Sequence, residues 1–356
     1  MKKTKTSIAK ILSFESNETE LRNQLSSETM DWDWFVKSSS QLGVMTTAYC
    51  RLNQKGLLDL VPKDLNTYLN EITKINRHRN ESLLHQVKEL SKLFSDHKIN
   101  HVFVKGCALL ACGCYTDFGE RLIGDIDVLV EPTNLYKAEQ LLLDLNYTSS
   151  VPSLFGKYKK HRHLPRLVHP DRLGAVEIHS KLLRKNISKT LNPHEIIKNR
   201  TMVTQVYVPK LEENIEILIL NHQINDFGYL FKYINFKTCY DSLVLEHKMN
   251  QIENTYNNSK YHRLFFTLRD SYFEPLQKDS KNKNISVVKN FYKHINKNGI
   301  VGQIYKRLVT VYIGLITCLN GLKLFVKNKN FRADIWSHKT DVLKLLKSQN
   351  KEIHSK

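Results

Sequence analysis

The 356 residues carry 54 Lys+Arg against 35 Asp+Glu, a formal net charge of +19, with 41% apolar and 25% charged residues. This length exceeds what one core usually serves, and the composition is that of a folded globular chain, which excludes disordered and fibrous classes. Six cysteines in so long a chain exclude a disulfide scaffold, and with no secretory signal before them the expectation is a reducing cytoplasm.

Residues 1–96 read as an N-terminal helical region. Few glycines or prolines interrupt a pattern that puts Trp34, Leu42, Met45 and Leu52, then Leu69, Ile72, Ile75, Leu83, Leu90 and Leu93, near helical spacing. Trp32 and Trp34 are expected as buried helix anchors. At Ile99 the period shortens to two, so "INHVFVKG" reads as a strand, "CALLACGCY" as a short helix and "DIDVLV" as a second strand. "EPTNLYKAEQLLLDLNY" places Leu135, Ala138, Leu142 and Leu145 on one helical face. "HRHLPRLVHPDRLGAVEIHSKLL" gives two strands joined at the His169–Gly174 turn, and "TMVTQVYVP" one strand more. Residues 97–208 therefore predict an α/β core with a small mixed sheet.

Helical periodicity returns over residues 209–275 and continues through a basic region, 276–356. From Lys278 onward 17 Lys+Arg face 4 Asp+Glu, so +13 of the net +19 lies in the last 79 residues. Such a region suits an anionic partner, whether nucleic acid, an acidic protein or a membrane surface, or equally a set of lysine-rich solvated helix faces. Leu276–Ser286, lysine- and asparagine-rich, is the expected linker. The uncharged run Leu308–Leu322 has 15 residues, short of the roughly 20 that cross a bilayer. A buried core helix is the first expectation for it and an interfacial helix the second, with no transmembrane span.

The chemistry concentrates in "YTDFGERLIGDIDVLV", Tyr115 to Val130. On a strand, Asp125 and Asp127 share one face about 7 Å apart, where two carboxylates repel unless a cation stands between them. Hard oxygen ligands at this spacing suit Mg²⁺, with Mn²⁺ as the substitute. Context supports a phosphate-handling site. Lys105-Gly106 closes the preceding strand and opens a helix, where backbone amides can meet phosphate; Gly124 gives room to turn; Glu177 and His179 share a face of a later strand. Asp125, Asp127 and Glu177 are thus the candidate metal ligands. Arg121 is a candidate for neutralising phosphate charge, with pairing to Asp117 or Glu120 as its structural alternative. Cys107, Cys112 and Cys114 lack the paired spacing of common zinc sites and are expected to be structural thiols.

These segments resemble the polymerase-β-like nucleotidyltransferases. They are most similar to a bacterial group of nucleotidyltransferase family proteins that carry K-G, then Y-x-D-x-G-x-R-x-x-x-D-I-D-x-L-V, then E-x-H, over about residues 30–250. The resemblance implies an α+β fold, a small mixed-sheet core flanked by N-terminal and C-terminal helical regions. It implies Mg²⁺-dependent transfer of a nucleoside monophosphate from an NTP to an acceptor that is RNA, protein, peptide or sugar-linked, with release of pyrophosphate. Asp125, Asp127 and Glu177 would be catalytic; Lys105, Gly106, Arg121, Gly124 and His179 would contact the nucleotide; His222 and Asp241 occupy positions noted in the flanking helices. Two other functions are consistent with it: a toxin-like enzyme acting on tRNA or protein, and a non-catalytic nucleotide-binding module in envelope polysaccharide or peptide biosynthesis. The expected location is cytoplasmic or peripheral at the membrane.

Overall fold

A computed structural model describes residues 2–27, 30–149, 162–184, 191–249, 259–273 and 299–337. The expected linker at Leu276–Ser286 lies outside them.

The chain opens with five helices, α1 (Lys2–Leu12), α2 (Glu18–Leu25), α3 (Trp32–Gln41), α4 (Met45–Gln54) and α5 (Lys63–Asp96). Asn17 and Asp31 cap α2 and α3, each side chain accepting a backbone N–H that the first turn leaves unpaired. In α3, Trp32 packs edge-on against buried Phe35 and Trp34 lies beneath Lys37, both rings only part-buried. Helix α5 buries Leu69, Leu83 and Leu90 as its spacing predicts, but Ile75 is 68% exposed. The inward positions of its middle turns are instead Thr73, Asn76 and Asn80. Polar residues occupy them because a loop backbone, rather than a core, lies against that stretch.

The sheet follows: β1 (His101–Val104), α6 (Lys105–Ala111), β2 (Ile126–Val130), α7 (Leu135–Asp144), β3 (Thr148–Ser149), β4 (Leu167–Val168) and β5 (Val176–His179). Strand order is β1-β2-β5-β4-β3, with β2 and β5 parallel and the other pairs antiparallel, a mixed sheet. Alternation sorts the residues of β2 and β5 onto two faces. Ile126, Val128, Val130, Val176 and Ile178 join the large core formed with the N-terminal helices. The other face carries Val102, Val104 and Leu129, covered by α8 (Pro193–Lys198) and α9 (Leu211–Leu220) through Ile196, Ile197, Ile217 and Leu220. Each of these fully buried aliphatic side chains contributes about 1.5–3 kcal/mol. Asp127, Glu177 and His179 share this second face by parity.

"TMVTQVYVP" is two strands rather than one: β6 (Thr201–Val203) and β7 (Val206–Val208) form a hairpin. Thr204 and Gln205 turn it with φ of 46° and 70°, positive at both central positions as a tight hairpin requires. Neither is glycine or asparagine, which hid the turn. A π-helical turn, Asn221–Asn225, then joins α9 to α10 (Gly228–Phe231), followed by α11 (Phe236–Lys248) and α12 (Lys260–Arg269).

The last described helices are Ile300–Lys327 and Lys329–Ser337. The expectation of a buried core helix at Leu308–Leu322 is overturned. The run sits inside a 28-residue helix of which only Gly302 and Val309 are buried, while Leu308, Leu315 and Leu319 are each more than half exposed. By length and composition alone this helix is long and apolar enough to cross a membrane.

Candidate active site

The loop from Tyr115 to Gly124 is held at almost every residue, and the ties explain its composition. Arg77 of α5 grips Asp117 with two hydrogen bonds of 2.7 and 2.9 Å. Asn76 donates to the carbonyls of Gly119 and Arg121, and Asn80 to those of Phe118 and Arg121. Gly119 passes so close to α5 that a Cβ there would lie 2.7 Å from the Thr73 carbonyl oxygen. Buried Glu120 accepts from Tyr240, Thr116 and Gln54, and its own carbonyl accepts from Thr47 at 2.7 Å. Burial holds its carboxyl above the usual range.

Arg121 lies against neither Asp117 nor Glu120. Its guanidinium, largely buried, forms a two-pronged pair with Asp241 of α11 at 2.8 Å, and Tyr115 donates to the same carboxylate at 2.9 Å. Arg121 thereby ties the loop to α11, with the geometry of a structural pair rather than a free phosphate ligand. Asp241, noted in the sequence without a partner, is what holds it.

This strap delivers the chain to β2. Asp125 stands at the strand entrance and Asp127 within it, with Asp127 directly opposite Glu177 in the parallel β2–β5 register. His179, two residues on, is fully buried, and its Nε2 lies 2.7 Å from Asp127 Oδ1 and 3.5 Å from Glu177 Oε2. Lys105 Nζ donates to the same Oδ1 of Asp127. The backbone of Lys105 is left-handed, φ 60°, a conformation that costs a non-glycine residue about 1 kcal/mol or more and turns its side chain toward Asp127 at the β1–α6 junction. Gly106 is unstrained, and a Cβ there would just touch Ile123 at 3.4 Å; at Gly124 a Cβ would meet nothing within 4 Å. Gly124 lends its carbonyl to Arg166 at 3.3 Å. Cys107, whose thiol burial pushes up, donates to the Asp125 carbonyl at 3.3 Å. All six cysteines are free, and among the described residues they join no metal-ligand group.

The three acids are unlike one another electrostatically. Burial works to raise Asp127, but the Lys105 charge and the His179 hydrogen bond outweigh it, so its carboxyl stays well below the usual range. Glu177 is also held down against burial, by His179. Asp125 is raised by burial, by Asp127 and by Glu177. One ligand atom from each of Asp127, Glu177 and His179 lies within 4.8 Å of the others, and Asp125 adds its charge at the strand mouth. The donor set fits a hard divalent cation: oxygen ligands dominate, and like-charge repulsion persists at Asp125 despite Lys105. The Nδ1 of His179 is buried with no hydrogen-bond partner among the described residues.

One basic residue near the site was not singled out in the sequence. Lys237, in the first turn of α11, is half-buried, and the charges that act on it are Arg121, Asp241, Asp125 and Asp226. Among the described residues no carboxylate lies within ion-pair distance of it. Its stem passes Gly43, where a Cβ would come within 3.1 Å. Nothing local marks it, because α11 reaches the site only through the tertiary fold. His222, by contrast, is buried on the π-helical turn against Tyr233, and its Nε2 lies 3.3 Å from the Tyr233 carbonyl.

No curated protein matches the chain. Residues 28–260, more than half of the 356, match a family described as "uncharacterised nucleotidyltransferase". The matched span runs from just before α3 into α12 and takes in the anchored loop, both aspartates, Glu177, His179 and Asp241. The chain belongs to this nucleotidyltransferase family.

Proposed function

We propose that the protein is a Mg²⁺- or Mn²⁺-dependent enzyme that moves a nucleoside monophosphate from an NTP to an acceptor oxygen. The reading is carried by one observation: Asp127, Glu177 and His179 each bring a ligand atom within 4.8 Å of the others, with Lys105 in contact with Asp127 and Asp125 at the mouth of the same strand. Asp125, Asp127 and Glu177 would hold the metal, with His179 beside them. A divalent ion bound there supplies Lewis-acid polarisation of phosphate oxygens.

The chain's own residues supply the remainder. Asp127 is fixed by its bonds to Lys105 and His179, so it is ionised and oriented before substrate arrives. Glu177, ionised at neutral pH, is the base that takes the proton from the attacking hydroxyl. The acceptor oxygen bonds to the α-phosphorus as the bond to the bridging oxygen breaks, and pyrophosphate departs with that electron pair. Lys237 would offer a positive charge to the triphosphate, and the open space at Gly124 leaves room beside the acids.

Incubation with each α-labelled NTP, Mg²⁺ and a total cell extract tests the reading and identifies donor and acceptor class together. Metal polarisation is worth several kcal/mol, so Asp127→Asn should lower labelling about 10³-fold. Equal labelling by wild type and Asp127→Asn, or labelling unaffected by chelation, would remove the metal from the reaction.

A further inference from the structure

The Ile300–Lys327 helix places Val301, Ile304, Leu308, Val311, Leu315, Leu319, Leu322 and Val326 on one continuous ridge, at steps of three and four residues. Every one of these side chains is at least half exposed, Leu308 at 63% and Val326 at 72%, and no described residue covers them. On the opposite side the polar residues Gln303, Lys306, Thr310, Thr317 and Asn320 are interspersed with Ile313 and Leu324. Among the described residues the far end of the helix meets only the next helix, through Arg332. It meets the rest of the fold at its N-terminal end, where Tyr305 donates to the Leu230 carbonyl at 2.6 Å and Val309 is the last residue of this helix to be buried. From there it projects with its apolar side uncovered, a state that water disfavours over an area this large.

Charge identifies the occupant. Between Asp279 and Asp334 the sequence has no acidic residue, while Lys306 and Arg307 flank the apolar run on one side and Lys323 and Lys327 on the other. Two copies pairing along Val301, Leu308, Leu315 and Leu322 would set basic residues against basic residues, with no acid at the flanking positions to offset them. An anionic lipid surface satisfies both the ridge and the lysines. The whole 28-residue helix is long enough to span a bilayer, but its charge-free stretch of 15 residues reaches only about 22 Å at 1.5 Å per residue, short of the ~30 Å hydrocarbon core. We propose that this helix lies in the headgroup boundary of an anionic bilayer, ridge inward, with Lys306, Arg307, Lys323 and Lys327 among the headgroups. Trp336, 70% exposed on the next helix, is placed to serve as an interfacial anchor.

Co-sedimentation of the full-length protein with vesicles tests this, using phosphatidylcholine alone and phosphatidylcholine with phosphatidylserine. Binding is expected to the mixed vesicles, to weaken as salt is raised, and to be released by alkaline carbonate. The variant carrying Leu308→Asp, Leu315→Asp and Leu322→Asp should lose it. Lys323→Glu with Lys327→Glu should weaken it about 30-fold or more. Because the altered side chains are exposed, both variants should keep the wild-type melting temperature; the charge variant retains the whole ridge and so tests the proposal independently. Equal binding to neutral vesicles, or undiminished binding by both variants, would overturn it. So would carbonate resistance, which marks a spanning helix, or a lipid-free dimer that the Asp variant dissolves.

Discussion

Asp127 and Asp125 are two residues apart and face the same way, yet the fold gives them opposite electrostatic fates. Asp127 is buried against Lys105 and His179 and stays ionised; Asp125 is raised by burial and by the other two acids. Their substitutions should differ accordingly. Asp125→Asn removes a repelled charge and should leave urea stability unchanged or slightly higher, whereas Asp127→Asn removes the negative charge that Lys105 and His179 share as hydrogen-bond acceptor and should cost about 1–3 kcal/mol. Both should lower turnover about 10³-fold. At Lys237 the expectation is a kinetic one: Lys237→Ala should raise KM for the NTP with the fold intact, and a variant with unchanged KM would remove this lysine from nucleotide binding. The acids and the lysine at the strand end were legible from two-residue periodicity. Lys237 was not, because a lysine in the first turn of a distant helix is indistinguishable in sequence from one on a solvated surface.

At the scale of elements, the Tyr115–Gly124 strap shows how much of a motif is mechanical. Its tyrosine, first aspartate, glycine, glutamate and arginine are all engaged by α5 or α11, and only the two later aspartates face the site. Asp241→Ala should therefore be severe. It strands a buried guanidinium and should cost about 3–5 kcal/mol in denaturant titration, with turnover lost although Asp241 is not a metal ligand. Gly119→Ala should cost about 1–3 kcal/mol, because α5 and the loop must part to admit a methyl group. The sequence did show the α5 helix, but its inward residues were misjudged: Ile75 fits the apolar period, and Asn76 and Asn80 do not, yet the asparagines face inward as donors to loop carbonyls. Polar positions that serve another segment's backbone look like surface until that segment is placed. The same reasoning applies to Arg121, whose partner lies 120 residues away.

For the whole molecule, acid should be destabilising in a defined window. Burial holds His101 and His222 at about 4, against 6.5 for an unperturbed histidine. The unfolded chain binds protons below 6.5 that the folded chain refuses until about 4, so stability is lost as pH falls through that interval and recovered as it rises. Each histidine contributes up to about 1.4 kcal/mol per pH unit there, about 3 kcal/mol by pH 4. The urea midpoint should therefore drop steeply between these limits, and less steeply in His222→Asn; parallel curves would count against His222. The mixed sheet and flanking helices followed from periodicity, whereas the exposure of Leu308–Leu322 did not, since apolarity says that a helix wants cover and not what provides it. The long separation between Arg121 and Asp241 has a further consequence in time. A ribosome has released both aspartates of the site more than a hundred residues before α11 emerges to clamp the strap, so over that interval the nascent chain carries the strap without its Asp241 tie.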